Sequence, residues 1–195
     1  ALSSAASDVY KRQERYMQEI RDFMDKPVVK IITGMRRCGK SALLELTREE
    51  LRRRGVQEQN IISMNFESLR YEAFKDYRAL YQEVCKRADR AQGKVYILLD
   101  EIQEVDSWEQ VINSLRVDLD CDIYVTGSNA KLLSGELATL LAGRYVEIRV
   151  YPLDFREYLD FAAENPEEAS LSQQEQFANF LRFGGLPGIH QMKWE

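Results

Sequence analysis

At 195 residues and a net charge of −5, the chain is long enough to bury one ordinary domain with some extra, and too acidic to read as a general nucleic-acid binder. No apolar run approaches the ~20 residues of a membrane span, and the small, polar start Ala1-Leu2-Ser3-Ser4-Ala5-Ala6-Ser7 lacks the basic and apolar blocks of a secretion signal. Cys38, Cys85 and Cys121 are odd in number and have no metal-ligand spacing, which fits a reducing, cytoplasmic setting.

Residues 1–13 read as a leader, non-native or disordered. Tyr16, Met17, Ile20, Phe23 and Met24 then recur at helical spacing over residues 14–26, and Pro27 stops the helix. Residues 28–33 form a buried strand. A helix follows from Ser41 to about Arg54, closed by Gly55. Residues 61–66 are a second strand, and 77–91 a helix stopped near Gly93. Residues 95–99 are a third strand, apolar throughout as a parallel strand buried on both faces should be. Residues 107–118 suit a helix with Trp108, Val111, Ile112 and Leu115 on one face. Residues 122–126 are a fourth strand, 134–142 a Leu-rich helix and 145–150 a fifth strand. Strands alternating with helices predict a parallel α/β sheet with right-handed crossovers.

The pattern changes after Val150. Tyr151-Pro152-Leu153 breaks it, helices are expected over 155–163 and 172–183, and Gly184-Gly185-Leu186-Pro187-Gly188 is a turn. The organisation is therefore a leader (1–13), a nucleotide-binding core (14–150) and a linker with a helical segment (151–195). Phe155, Tyr158, Phe161, Phe177, Phe180 and Phe183 read as helix core rather than a base-stacking platform. The lone His190 has no partner for histidine-based catalysis.

Gly34-Met35-Arg36-Arg37-Cys38-Gly39-Lys40-Ser41, continued by Ala42, is a complete G-x-x-x-x-G-K-S loop between a strand and a helix. The glycines permit close backbone approach, and loop N–H groups cradle phosphates at a helix N-terminus. Lys40 supplies charge to the β/γ-phosphates and Ser41 a hydroxyl to Mg²⁺. Cys38, beside Lys40, is either a thiol activated by its surroundings or a filler at a tolerant position. Arg52-Arg53-Arg54 is either a solvated helix C-terminus or a basic patch.

Asp100-Glu101 ends the third strand, where ligands bind in open parallel sheets. Asp100 is the expected second Mg²⁺ partner, and Glu101 a base that polarises water for attack on the γ-phosphate. Thr126-Gly127-Ser128-Asn129 ends the fourth strand. Asn129, with Ser128 as substitute, suits positioning a water, and both suit a helix N-cap equally. Arg144 is either an ordinary surface residue or a charge offered to a phosphate across a subunit boundary.

With these motifs in place, the chain resembles the bacterial and archaeal AAA+ ATPases that pair an ATPase domain with a C-terminal domain of unknown function. The similarity lies in Ile32 to Ser41, the Leu99-Asp100-Glu101-Ile102-Gln103 box with Trp108 after it, and Thr126-Gly127-Ser128 followed by Lys131-Leu132-Leu133-Ser134. The stretch from Tyr151 to Leu159 and Gly184-Gly185-Leu186-Pro187 share it. The resemblance implies a P-loop NTPase with a five-stranded parallel sheet of order 5-1-4-3-2 flanked by helices. It implies ATP and Mg²⁺, Glu101 as catalytic base, Asn129 in the sensor position and Arg144 as an arginine finger reaching another copy in a homo-oligomer. Asn129 stands where a second Ser is common, so the sensor is Ser128 or Asn129. Relatives continue past Pro187 into a further domain. The expected activity is Mg-dependent ATP hydrolysis that changes the conformation of the C-terminal domain or of a protein or DNA partner. The alternatives are a nucleotide-dependent switch with little hydrolysis and a small-molecule phosphotransferase.

Overall fold

The computed structural model of the chain describes residues 4–128, 141, 143–163 and 165–186. In chain order it contains α1 (Ser4–Phe23), β1 (Val29–Gly34), α2 (Lys40–Arg53), β2 (Ile61–Asn65), α3 (Tyr77–Ala88), β3 (Val95–Asp100), α4 (Trp108–Asp118), β4 (Cys121–Ser128), β5 (Tyr145–Val150), α5 (Phe155–Ala162), α6 (Pro166–Ala169) and α7 (Gln173–Phe183). The helix expected over 134–142, Asn129 and His190 lie outside the described residues. Residues 4–13, expected as a leader, are the first part of α1.

The five strands form one parallel sheet of order β2-β3-β4-β1-β5, which read from the other edge is 5-1-4-3-2. Alternate residues of each strand feed two cores. On one face Ile31, Ile97, Leu99, Ile123 and Val125 pack with Leu80 and Val84 of α3 and with Trp108, Val111, Ile112 and Leu115 of α4. On the other, Ile32, Leu98, Tyr124 and Ile148 pack with Met17 and Ile20 of α1 and with Leu43, Leu44 and Leu51 of α2. Burial on both faces explains why residues 95–99 of β3 are apolar without alternation.

One polar cluster interrupts this at the end of the sheet where β1 begins. Lys30 is fully buried and pairs with Asp122, which also accepts from the Tyr124 hydroxyl at 2.7 Å and the Asp25 N–H at 2.8 Å. Burial pushes the Lys30 ammonium below its usual range, against the pull of Asp122. Asp25 in turn accepts from Tyr96 at 2.9 Å and Lys94 at 3.2 Å, tying the end of α1 to β1, β3 and β4.

Beyond β5, α5 and α7 meet through aromatic rings. Phe155 lies 4.8 Å from Phe177 and 5.4 Å from Phe180, centroid to centroid, so these aromatics are packing contacts. Tyr16 of α1 is buried, and its hydroxyl accepts the Tyr151 N–H at 3.2 Å.

Candidate functional site

β1 and β5 end together, Gly34 opposite Val150. A Cβ on Gly34 would lie 2.4 Å from the Val150 carbonyl oxygen and 2.6 Å from Cys38 Sγ, so this position has room only for hydrogen. The chain then turns through Met35, Arg36 and Arg37, all exposed, with Arg37 at φ 66° and Gly39 at φ 104°. Cys38 points the other way: it is 3% exposed and packs in the α1/α2 core, which makes it a packing residue rather than an accessible thiol.

α2 starts at Lys40 with no side-chain cap on its first N–H groups and no acidic residue in its first turn. An uncapped, non-acidic helix start is what an anion site requires. Lys40 is 3% exposed; its Nζ donates to the Met35 carbonyl at 3.0 Å and lies 3.6 Å from Glu101 Oε1. Ser41 and Ala42 follow on the open side. Of the loop arginines, Arg36 lies 3.3 Å from the Glu67 carboxylate, and both Arg36 and Arg37 line the cleft above the loop.

Asp100 closes β3 and is 5% exposed. The Thr126 hydroxyl donates to its Oδ1, and Asn65 Nδ2 donates to its Oδ2 at 3.0 Å. Glu101 leaves the strand in the left-handed region (φ 53°, ψ 49°). Its N–H donates to Thr126 Oγ1 at 3.0 Å, and its Oε2 accepts from Gln103 Nε2. Asn65 Oδ1 accepts the Glu67 N–H at 2.9 Å, so the loop after β2 is joined through Asn65 to Asp100.

Two adjoining clefts run over these strand ends, sharing Arg36, Glu67 and Glu101. One, of about 360 Å³, is floored by Gly39, Lys40, Ser41 and Ala42. The other, of about 390 Å³, lies beyond Glu101 and is lined by Gln103, Glu104, Lys75 and Ser128 among others. Lys40, Ser41, Asp100, Glu101 and Ser128 are thus brought to one edge of the sheet, while Asn129 lies outside the described residues.

Arg144 is elsewhere. It precedes β5, where Tyr145 pairs with Val29, and its carbonyl accepts the Val29 N–H at 3.0 Å. That is the opposite end of the sheet from Gly34, ~20 Å away along a six-residue strand. Arg52, Arg53 and Arg54 pair with Glu58 or Glu50 at 2.7–3.7 Å, so this run is matched by acids of its own chain. Asn65, Glu67, Gln103 and Thr126 are site residues that motif reading did not single out. Gln103 and Thr126 lie inside motifs read for other positions; Asn65 carried only its place at a strand end.

Comparison with known proteins gives the chain's family and fold. Residues 26–159 match the family described as AAA domain. An uncharacterized protein of Haemophilus influenzae is 44% identical over 177 residues, covering 91% of this chain and 44% of its own length. One from Methanocaldococcus jannaschii is 32% identical over 173 residues, covering 83% of this chain and 36% of its own. The chain therefore spans less than half the length of these relatives. Among solved structures, a variant of RuvB from Thermotoga maritima has a TM-score of 0.56 at 14% identity, with 94% of this chain and 58% of that one covered. Trip13 from Rhizobiales has a TM-score of 0.54 at 15% identity, with 88% and 66% covered. These likenesses show the P-loop fold. With most of its length inside the family match, the chain belongs to the AAA-domain family of nucleotide-binding, ATPase-like proteins.

Proposed function

We propose that this chain binds ATP with Mg²⁺ and hydrolyses it, as the engine of a longer cytoplasmic protein of the kind that carries a C-terminal domain of unknown function. In this reading residues 14–150 are the ATPase core and 151–195 lead toward the remaining domain. The carrying observation is that Lys40 Nζ and the Glu101 carboxylate converge within 3.6 Å at the uncapped start of α2. A loop lysine for phosphate charge and an acid for water then face one cleft.

The loop from Gly34 to Ala42 cradles the phosphates through its N–H groups, and Lys40 exchanges the Met35 carbonyl for a phosphate oxygen. The donor set fits Mg²⁺: the Ser41 hydroxyl and Asp100 carboxylate are hard oxygens, and Mg²⁺ keeps water and phosphate ligands rather than needing a protein cage. Among the described residues no cluster of three or more His, Cys, Asp and Glu side chains forms such a cage. In this reading Asp100 acts through a water, oriented by the hydrogen bonds of Thr126 and Asn65 to its two oxygens. Mg²⁺ when bound supplies charge that neutralises the β- and γ-phosphates. Glu101 takes a proton from the attacking water, and Ser128 or Asn129 is the sensor that orients that water.

Nucleotide titration and turnover test this together. Lys40→Ala loses ATP binding. Glu101→Gln keeps ATP affinity within about twofold and loses turnover by about 10²–10⁴-fold, the usual worth of a general base. Equal ATP affinity in wild type and Lys40→Ala would sink the proposal.

A further inference from the structure

The Glu101 carboxylate is held by two partners of different kinds. Oε1 faces the Lys40 ammonium at 3.6 Å, and Oε2 accepts from Gln103 Nε2. Lys40 is the group an incoming phosphate recruits, and a polyphosphate outbids one carboxylate for it. Once it leaves, the amide of Gln103 is the described side-chain donor remaining on Glu101.

The orientation of that amide is fixed by chemistry. A carboxylate only accepts, so the NH₂ must face Glu101 and the carbonyl must point away. Gln103 Oε1 is then buried and has no hydrogen-bond partner among the described residues. Leaving an acceptor buried and unpaired destabilises a fold, so packing alone does not account for a glutamine here. A residue of the same length without polar atoms would pack at lower cost.

Gln103 is also firmly seated. It is the middle residue of a 3₁₀ turn, Ile102–Glu104, pinned by the buried Ile102 side chain. The Glu101 carbonyl accepts the Glu104 N–H at 3.1 Å, and the Ile102 carbonyl accepts the Val105 N–H at 3.0 Å. Thr126 fixes the Glu101 backbone through its N–H but leaves the torsions of the Glu101 side chain free. Gln103 supplies the missing restraint, at the wall of the 390 Å³ cleft.

We propose that Gln103 is a positioning residue: it holds the Glu101 carboxylate in place for water attack after phosphate has drawn Lys40 away. This rests on the hydrolysis reading above. In the step it serves, the water oxygen bonds to the γ-phosphorus, and the bond to the bridging oxygen breaks with its electron pair leaving on ADP. The water's proton passes to Glu101.

The test uses Gln103→Met, similar in length but without donor or acceptor, and Gln103→Glu, the same shape without the donor. ATP affinity, kcat, melting temperature and trapping of ADP with aluminium fluoride are compared with wild type and Glu101→Gln. Gln103→Met is expected to melt no lower than wild type and to bind ATP within about twofold. Its kcat falls at least about tenfold, a part of what a general base contributes, and trapping weakens in parallel. Gln103→Glu loses turnover likewise. Wild-type kcat and trapping in both variants, while Glu101→Gln is inactive, overturn the assignment and leave the hydrolysis reading standing. A lower melting temperature with weakened ATP binding makes Gln103 a structural residue and overturns it too. Full turnover in Glu101→Gln overturns the hydrolysis reading itself.

Discussion

Thr126 Oγ1 serves two neighbours at once: it accepts the Glu101 N–H at 3.0 Å and donates its proton to Asp100 Oδ1. Glu101 sits at φ 53°, a conformation that a residue with a side chain holds only when its surroundings fix it. Thr126→Val keeps the shape and removes the hydroxyl, leaving a buried carboxylate oxygen and a backbone N–H unpaired. The expected cost is about 1–3 kcal/mol of stability in urea unfolding, with turnover lost beyond what ATP affinity explains; Thr126→Ser restores both. A valine variant with wild-type stability and turnover would contradict this account. Lys40, Asp100 and Glu101 were legible because their chemistry is written in contiguous motifs. Thr126 and Asn65 were not. Their partners lie 25–26 and 35 positions away, and a threonine inside an apolar strand reads equally well as a β-branched filler. Cys38 read in sequence either as an activated thiol near Lys40 or as a filler, and the turn of the loop decides for the filler by aiming it into the core.

Among the elements, α2 carries the site at its start and is clamped at its end. Glu58, in the 3₁₀ turn before β2, pairs with Arg48 and with Arg52 at 2.7 Å, tying the last turns of α2 to the sheet edge. The guanidinium of Arg52, then that of Arg48, hold the Glu58 carboxyl down from 4.5 to about 2. A depressed carboxylate pKa adds stability above its unfolded value and loses it as pH falls through its folded one. The melting-temperature advantage of wild type over Glu58→Gln should therefore be constant above about pH 5 and vanish as pH falls to about 2. An advantage that persists at pH 2 would rule out the clamp. Most elements were readable in sequence because burial imposes period: Trp108, Val111, Ile112 and Leu115 face one core, and β1 and β3 are buried along their full length. Two departures have plain causes. Residues 4–13 have no apolar stripe, yet they are the first part of α1, and no proline or glycine interrupts them. Residues 166–169, between the helices expected over 155–163 and 172–183, form the short α6, with proline at the first helical position that suits it.

At the scale of the whole molecule, Arg144 and the phosphate loop occupy opposite ends of one sheet, ~20 Å apart. A side chain does not cross that distance, so an Arg144 that touches phosphate must touch another copy's phosphate. Arg116 lies near it: burial, and then the charge of Arg144, push the Arg116 guanidinium below its ordinary value. Two guanidiniums with exposed Arg144 at their rim gain by meeting an anionic surface, and a nucleotide in a neighbour's cleft is one. Turnover per chain should then rise with protein concentration, and Arg144→Ala should abolish the rise while leaving ATP affinity unchanged. Mixing two variants gives the sharper test. Glu101→Gln chains keep Arg144 but lack a base, and Arg144→Ala chains keep the base but lack the finger. Each is inactive alone, and together they form composite sites with Glu101 from one chain and Arg144 from the other. Turnover regained on mixing is the expected result. If the mixture stays as inactive as its components, while wild type remains active at the same concentration, Arg144 has no part in a neighbour's site.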